Sequence, residues 1–283
     1  MPKIDQFESV FKSADKEVFS FEKVEVDSAL LVTDLNQEEA ATFSEQVKGY
    51  LSVLGNVNWT IVTGEQYGNV EDLLKLVEDS GPDLVCTYRN LHSAAWKFPH
   101  SVGEYVDVLT QVAKPSILLL PHPEAGRAAG HSMEDTNVVM AITDHLTGDN
   151  RLINHAVRYT EADGKLFLTH IEDEATFEYY MDLISKIPNI DTEIARAEIQ
   201  ERAQRGPADY IRSCTGILKE KGITVHVEAE VTHGHHLMDY KNLIEDHKID
   251  LLVLNTKDDE QLAMHGMAYP LAVEIRDIPL LML

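Results

Sequence analysis

Histidine is the residue type with the most chemistry to offer in this sequence. The chain holds 13 of them in 283 residues, and six stand where short apolar runs give way to polar loops. His145 follows Met140-Ala-Ile-Thr-Asp144, and His170 closes Lys165-Leu-Phe-Leu-Thr-His-Ile171. His233, His235 and His236 stand together in Thr232-His-Gly-His-His-Leu237, after the run Ile223-Thr-Val-His-Val. His265 lies beyond Asp250-Leu-Leu-Val253. Neutral imidazole is a good ligand for zinc, and Glu172 and Asp173 would add carboxylate oxygens to such a set. A metal held this way could activate water, so a metal-assisted hydrolase is one reading of the pattern. Other catalytic signatures are missing: there is no GxSxG, no HExxH and no GxxxxGK[ST]. The balance favours binding over turnover.

The elements that must position these residues repeat along the chain. Ala29-Leu-Leu-Val-Thr-Asp34 and Met140-Ala-Ile-Thr-Asp144 both end in Thr-Asp, and helical patterns follow at Glu38–Leu54 and Asn150–Thr160. Such short apolar runs read as strands buried on both faces. Val57–Thr63, a helix through Leu73 and Val77, and Asp83-Leu-Val-Cys86 match a later series. That series is Ile223-Thr-Val-His-Val, a helix through Leu243 and Ile244, and Asp250-Leu-Leu-Val253. Each half ends on a proline-led apolar strand, Pro115-Ser-Ile-Leu-Leu-Leu120 and Pro279-Leu-Leu-Met-Leu283. Strands alternating with helices mean parallel pairing with crossover helices on both faces. The first half is one strand–helix unit short. The second has that unit, Lys165–Ile171, and then a helical insertion over about 175–205, broken near Pro188-Asn-Ile-Asp191. In its first segment Tyr179, Met181, Leu183 and Ile184 are expected to form the apolar stripe. The division drawn is 1–122, a linker at 123–136 rich in Pro and Gly, and 137–283. At the start, Ile4, Phe7, Val10 and Phe11 follow helical spacing and predict a short amphipathic helix.

Composition excludes several classes of function. Acidic residues number 48 against 24 basic, a net charge of −24, which repels nucleic acid and anionic membrane surfaces. No apolar run approaches the ~20 residues of a membrane span, and the first residues do not read as a signal peptide. Two cysteines give no disulfide framework, and Cys86, inside an apolar run, reads as a reduced core thiol. The expected location is the cytoplasm.

In order and in repetition these motifs resemble those of the universal stress proteins. The features that carry the resemblance are Thr33-Asp34, Pro82-Asp-Leu-Val85, Ser101-Val102 and Pro115–Leu120 in the first half. In the second they are Thr143-Asp144, Ile249-Asp-Leu-Leu-Val253, Gly266 and Ile278-Pro-Leu-Leu-Met-Leu283. The resemblance implies an α/β fold of two Rossmann-like domains of the adenine nucleotide alpha hydrolase type, each with strand order 3-2-1-4-5. It also implies intramolecular pairing of the halves as a pseudo-dimer, with a homodimer as a further assembly, and a stress-response or regulatory role exerted through a protein partner. Ligand contacts would come from Asp34, Ser101, Asp144, His145, His265 and Gly266. Two roles are open to Asp34 and Asp144: contact with the adenine end of a nucleotide, or capping of the following helix. The glycine-rich phosphate loop of the family is degenerate here. Tyr88–His100 has no glycine, and Asp258, Asp259 and Glu260 would oppose a polyphosphate, so ATP is expected to bind weakly or not at all. The same strand order sets His170 beside the His233, His235, His236 loop. Those four are the expected zinc ligands.

Overall fold

The computed structural model describes residues 18–125, 130–143, 146–256 and 267–283. The predicted helix over residues 4–11 lies outside them.

The first half runs β1 (Ser28–Val32), α1 (Gln37–Tyr50), β2 (Asn58–Val62), α2 (Val70–Ser80), β3 (Leu84–Tyr88), α3 (Glu104–Val112) and β4 (Ser116–Leu120). The second runs β5 (Val138–Ile142), α4 (Asn150–Tyr159), β6 (Lys165–Asp173), α5 (Glu174–Ser185), α6 (Thr192–Glu220), β7 (His226–Gly234), α7 (His236–His247), β8 (Leu251–Leu254), α8 (Ala268–Glu274) and β9 (Leu280–Met282).

Among the described residues the strands form one sheet of nine in the order β2-β1-β3-β4-β9-β8-β5-β6-β7. Read from its own edge, the second half has the order 3-2-1-4-5, and the first lacks the outermost strand. Every pair is parallel except β4 with β9, where Ile117, Leu118 and Leu119 face Met282, Leu281 and Leu280. Two equivalent strands paired antiparallel relate the halves by a local twofold, so the expected two sheets are continuous. The strands at and beside this seam carry the core. Every residue of β3, β4, β8 and β9 is buried, as the near-unbroken aliphatic runs require for strands covered on both faces.

Other contacts lock the halves together. Tyr50 Oη donates to the Asp250 carbonyl at 3.0 Å, and Arg158 donates to the carbonyls of Val53 and Leu54 at 2.8 and 2.7 Å. The chain before β1 crosses to the second half. There Asn154 accepts from the Glu22 amide at 3.1 Å and donates to the Ser20 carbonyl at 3.1 Å, and Phe19 is buried edge-on against Tyr210. In the expected linker, Ser132, Met133 and Thr136 are buried.

Two elements are longer than the sequence suggested. The charged segment expected to stop at Arg205 continues through Gly206-Pro207 to Glu220, as the second part of α6. A proline inside a helix costs about 3 kcal/mol, but Tyr210, Ile211, Cys214 and Leu218 bury one face of this helix, and that packing prevails. β7 likewise extends to Gly234, pairing residue for residue with β6 as far as Asp173. In α5 the inward pair is Phe177 and Met181, four residues apart, whereas Tyr179 and Leu183 are exposed. Met181 of the expected stripe thus faces inward and Ile184 is half-buried, while Phe177 takes the place of Tyr179 and Leu183 on that face.

Candidate functional site: the strand ends and the seam

The carboxyl ends of the parallel strands in each half, and the seam between them, carry the polar side chains of interest. In the first half Asp34 follows β1. Its Oδ1 accepts the hydroxyl proton of Tyr88, its Oδ2 accepts the His92 amide at 2.7 Å, and its own amide donates back to Tyr88 Oη at 3.1 Å. Burial and then the Asp34 carboxylate hold the Tyr88 phenol well above its ordinary range, so Tyr88 remains the donor. Helix α1 is capped by Asn36, whose Oδ1 accepts from Glu38 and Glu39 at 3.0 Å. Asp34 therefore latches β1 to the loop after β3, a third role beside the two that the sequence left open.

That loop turns without glycine. Asn90 and His92 take left-handed backbone angles, φ 56° and 58°, a conformation that Asn in particular tolerates. Glycine is required only at Gly103, φ 91°, where a Cβ would lie 2.7 Å from Asn90 Cα. Ser101 stands two residues before this cap. Its Oγ lies 3.4 Å from Asn90 Oδ1, and α3 opens with Glu104 and Asp107 in its first turn. An anion at Ser101 would meet those carboxylates.

In the second half β6 and β7 deliver the histidines. His170 is buried, and its Nε2 lies 3.4 Å from Glu172 Oε2. Glu172 faces His233 in register across the pair. Burial raises the Glu172 carboxyl, but the His170 hydrogen bond and the nearby His170, His233 and His236 outweigh it and hold the group low. His236 Nε2 donates to the Ile171 carbonyl at 2.7 Å, and His235 is exposed, 3.9 Å from Glu174. Among the described residues two histidine ring nitrogens are buried with no hydrogen-bond partner, His170 Nδ1 and His233 Nε2. Among the described residues no three His, Cys, Asp or Glu side chains are grouped to hold a metal ion. His233 lies within β7 rather than in a loop beyond it, because the strand is longer than its apolar run. Asp144, His145, His265 and Gly266, like Asp258, Asp259 and Glu260, lie outside the described residues.

Sequence reading missed the cluster at the seam. Arg89, immediately after β3, is buried. Its Nε donates to the Ala272 carbonyl at 2.9 Å, and a terminal nitrogen donates to the Ile275 carbonyl, both in the other half. Trp96, in the short 3-10 turn Ala94–Lys97, stacks on His122 at 4.2 Å and 12°. Arg276 donates to the Trp96 carbonyl. No local pattern flags a pairing across 183 residues of chain. The available signal was a lone arginine at the end of an apolar strand. Both cysteines are buried and free; burial raises both thiols, Cys214 to about 12.

Solved structures share this architecture. A functionally unknown protein from Pseudomonas aeruginosa PAO1 superposes with a TM-score of 0.52 at 11% identity, over 91% of this chain and 92% of that one. A universal stress protein from Archaeoglobus fulgidus DSM 4304 does so with a TM-score of 0.50 at 10% identity, over 91% and 96%. No protein-family model matches the chain, and none of the curated proteins matches it in sequence. The fold is that of the universal stress proteins. Among the described residues no helix is long and apolar enough to cross a membrane.

Proposed function

We propose that this protein is a stress-response or regulatory binding protein of the tandem universal-stress-protein type. It holds a small ligand and acts through a protein partner, without turnover. The observation that carries this reading is a fold shared with a universal stress protein over nine-tenths of the chain, both halves included. The degenerate loops add to it. Asp34 is engaged by Tyr88 and His92, and the loop that wraps phosphates in the family has no glycine here. Mass spectrometry of the untagged protein under native and denaturing conditions tests the reading. The expected result is a retained small molecule with no ATP consumed. Rapid hydrolysis of ATP would contradict it.

One observation favours a second reading, that zinc is the ligand sensed. His170 Nδ1 and His233 Nε2 are buried, unpartnered donors beside the Glu172 carboxylate. His235 and His236 are otherwise disposed, so a tetrahedral site would need their side chains to swing inward. Elemental analysis after exposure to micromolar zinc decides it. Bound metal that is lost in the His170→Ala, His233→Ala double variant supports zinc, and a folded, metal-free protein removes it.

A further inference from the structure

The two outer edges of the sheet are not alike. β2 and β6 are equivalent strands, each paired with the first strand of its half. β7, the strand that the first half lacks, covers β6 along its whole length, Lys165 to Asp173. β2 instead ends the sheet, and among the described residues no strand pairs with its far side. The Asn58 amide donates to the Asp27 carbonyl at 2.9 Å, and the Val62 carbonyl accepts the Thr33 amide at 2.9 Å. Residues 58, 60 and 62 therefore turn their backbone groups to β1, and the alternation turns those of Trp59 and Ile61 outward. The open stretch ends at Thr63, whose amide is taken by Gln66 Oε1 at 2.7 Å.

Edge strands are normally guarded by charge, proline or a bulge, because unpaired amides and carbonyls recruit another strand. β7, the opposite edge, carries Glu228 and Glu230. β2 reads Asn-Trp-Thr-Ile-Val. Residues 49–64 form the longest run of the sequence without a charged side chain, although 25% of the chain is charged. In a molecule of net charge −24, two copies can meet here with no charge on either strand.

The edge is also complementary to itself. A twofold axis at Thr60 sets two β2 strands antiparallel, with Thr60 facing Thr60 of the second copy. Trp59 of each copy then lies opposite Ile61 of the other. Residues so placed exchange amide–carbonyl bonds in both directions, so the outward groups of each strand are satisfied by the other. An aromatic residue opposite a β-branched one is a favoured cross-strand pair, as is threonine opposite threonine. The sheet already joins equivalent strands antiparallel at β4–β9, which leaves those last strands closed to a second copy.

We propose that this chain forms a homodimer by adding β2 to β2 around a twofold axis at Thr60, so that one sheet crosses both molecules. The inference rests on the fold and goes beyond the regulatory reading. A dimer without a retained ligand, or a retained ligand without a dimer, separates the two.

The test is sedimentation equilibrium of the untagged full chain over rising protein concentration, at low and at high salt. The expected result is a reversible monomer–dimer equilibrium that tightens with salt, which screens the like net charges. Thr60 is exposed, so Thr60→Lys and Thr60→Glu should leave the fold in place. Each alone should weaken the dimer at least about tenfold by setting like charges face to face. Their equimolar mixture should restore it as a heterodimer. A chain monomeric at every concentration would overturn the proposal, whether the amides of residues 59 and 61 exchange freely or another segment of the chain protects them. So would a dimer indifferent to both Thr60 variants.

Discussion

Asp83 and Asp250 stand at corresponding places in the two halves and perform the same mechanical task. Each precedes a penultimate strand and ties it to the first strand of its half. The Asp83 amide donates to the Ser28 carbonyl at 3.1 Å, and the Asp250 amide to the Val138 carbonyl at 2.8 Å. Asp83 Oδ2 accepts the Ser28 amide at 2.9 Å, and Asp250 Oδ2 accepts the Val138 amide at 2.9 Å. Their electrostatics are opposite. Asp83 is exposed and also accepts from the Ser28 hydroxyl and the Asp27 amide; these bonds outweigh its slight burial and hold its carboxyl low. Asp250 is 5% exposed, with Asp135 and Glu134 nearby, and burial above all pushes it up to about 7. The repeat fixes backbone geometry and leaves the charge environment free to diverge. Function is therefore to be sought where the halves differ and where they meet.

The meeting place should show the largest effect. Leu118 faces Leu281 at the centre of the β4–β9 pair, both fully buried. Leu118→Asp should cost upwards of ~4 kcal/mol and unfold both halves in one transition in urea. Separate transitions, with one half surviving, would show that the halves are independent.

Next comes Asp250→Asn. An acid whose folded pKa lies above its unfolded one binds more protons folded, so wild-type stability should fall as pH rises from about 4 to about 7. The asparagine variant keeps an acceptor for the Val138 amide without the charge. It should be more stable than wild type by about 2 kcal/mol at pH 8, with the gap closing toward pH 4. Urea unfolding at several pH values checks the slope. A variant less stable at pH 8 would contradict it.

Tyr88→Phe should cost about 1–2 kcal/mol by leaving Asp34 without its hydroxyl donor. It should also speed amide exchange at His92, the other residue on that carboxylate. The smallest effect belongs to Asp83→Asn, with the opposite pH sense to Asp250. The carboxylate held low in the folded state stabilises above about pH 4, so the variant should lose a little stability at neutral pH and none in acid. Equal slopes for the two variants would dissolve the comparison.

Much of the fold was legible because period and punctuation are local. The Thr-Asp strand ends, the proline-led last strands and the two-part insertion each occupy a few consecutive residues, and the strands that they imply are present. Boundaries failed where packing overrode local preference, at Pro207 within α6 and in the polar half of β7, whose residues pair with β6 without an apolar pattern. The site was less legible. The histidines do gather at the β6–β7 edge, but the partners their ring nitrogens take there, the Ile171 carbonyl and Glu172, are not revealed by spacing. The seam cluster was invisible, since Arg89 acquires meaning only from Ala272, Ile275 and Arg276.

The central claim is that the two halves form one continuous sheet through the β4–β9 pair. Hydrogen–deuterium exchange of the full chain in rising urea tests it most directly. The account predicts that the amides of β1, β3 and β4 and those of β5, β8 and β9 lose protection together, in one step. Loss of protection across one half while the other stays protected would contradict it.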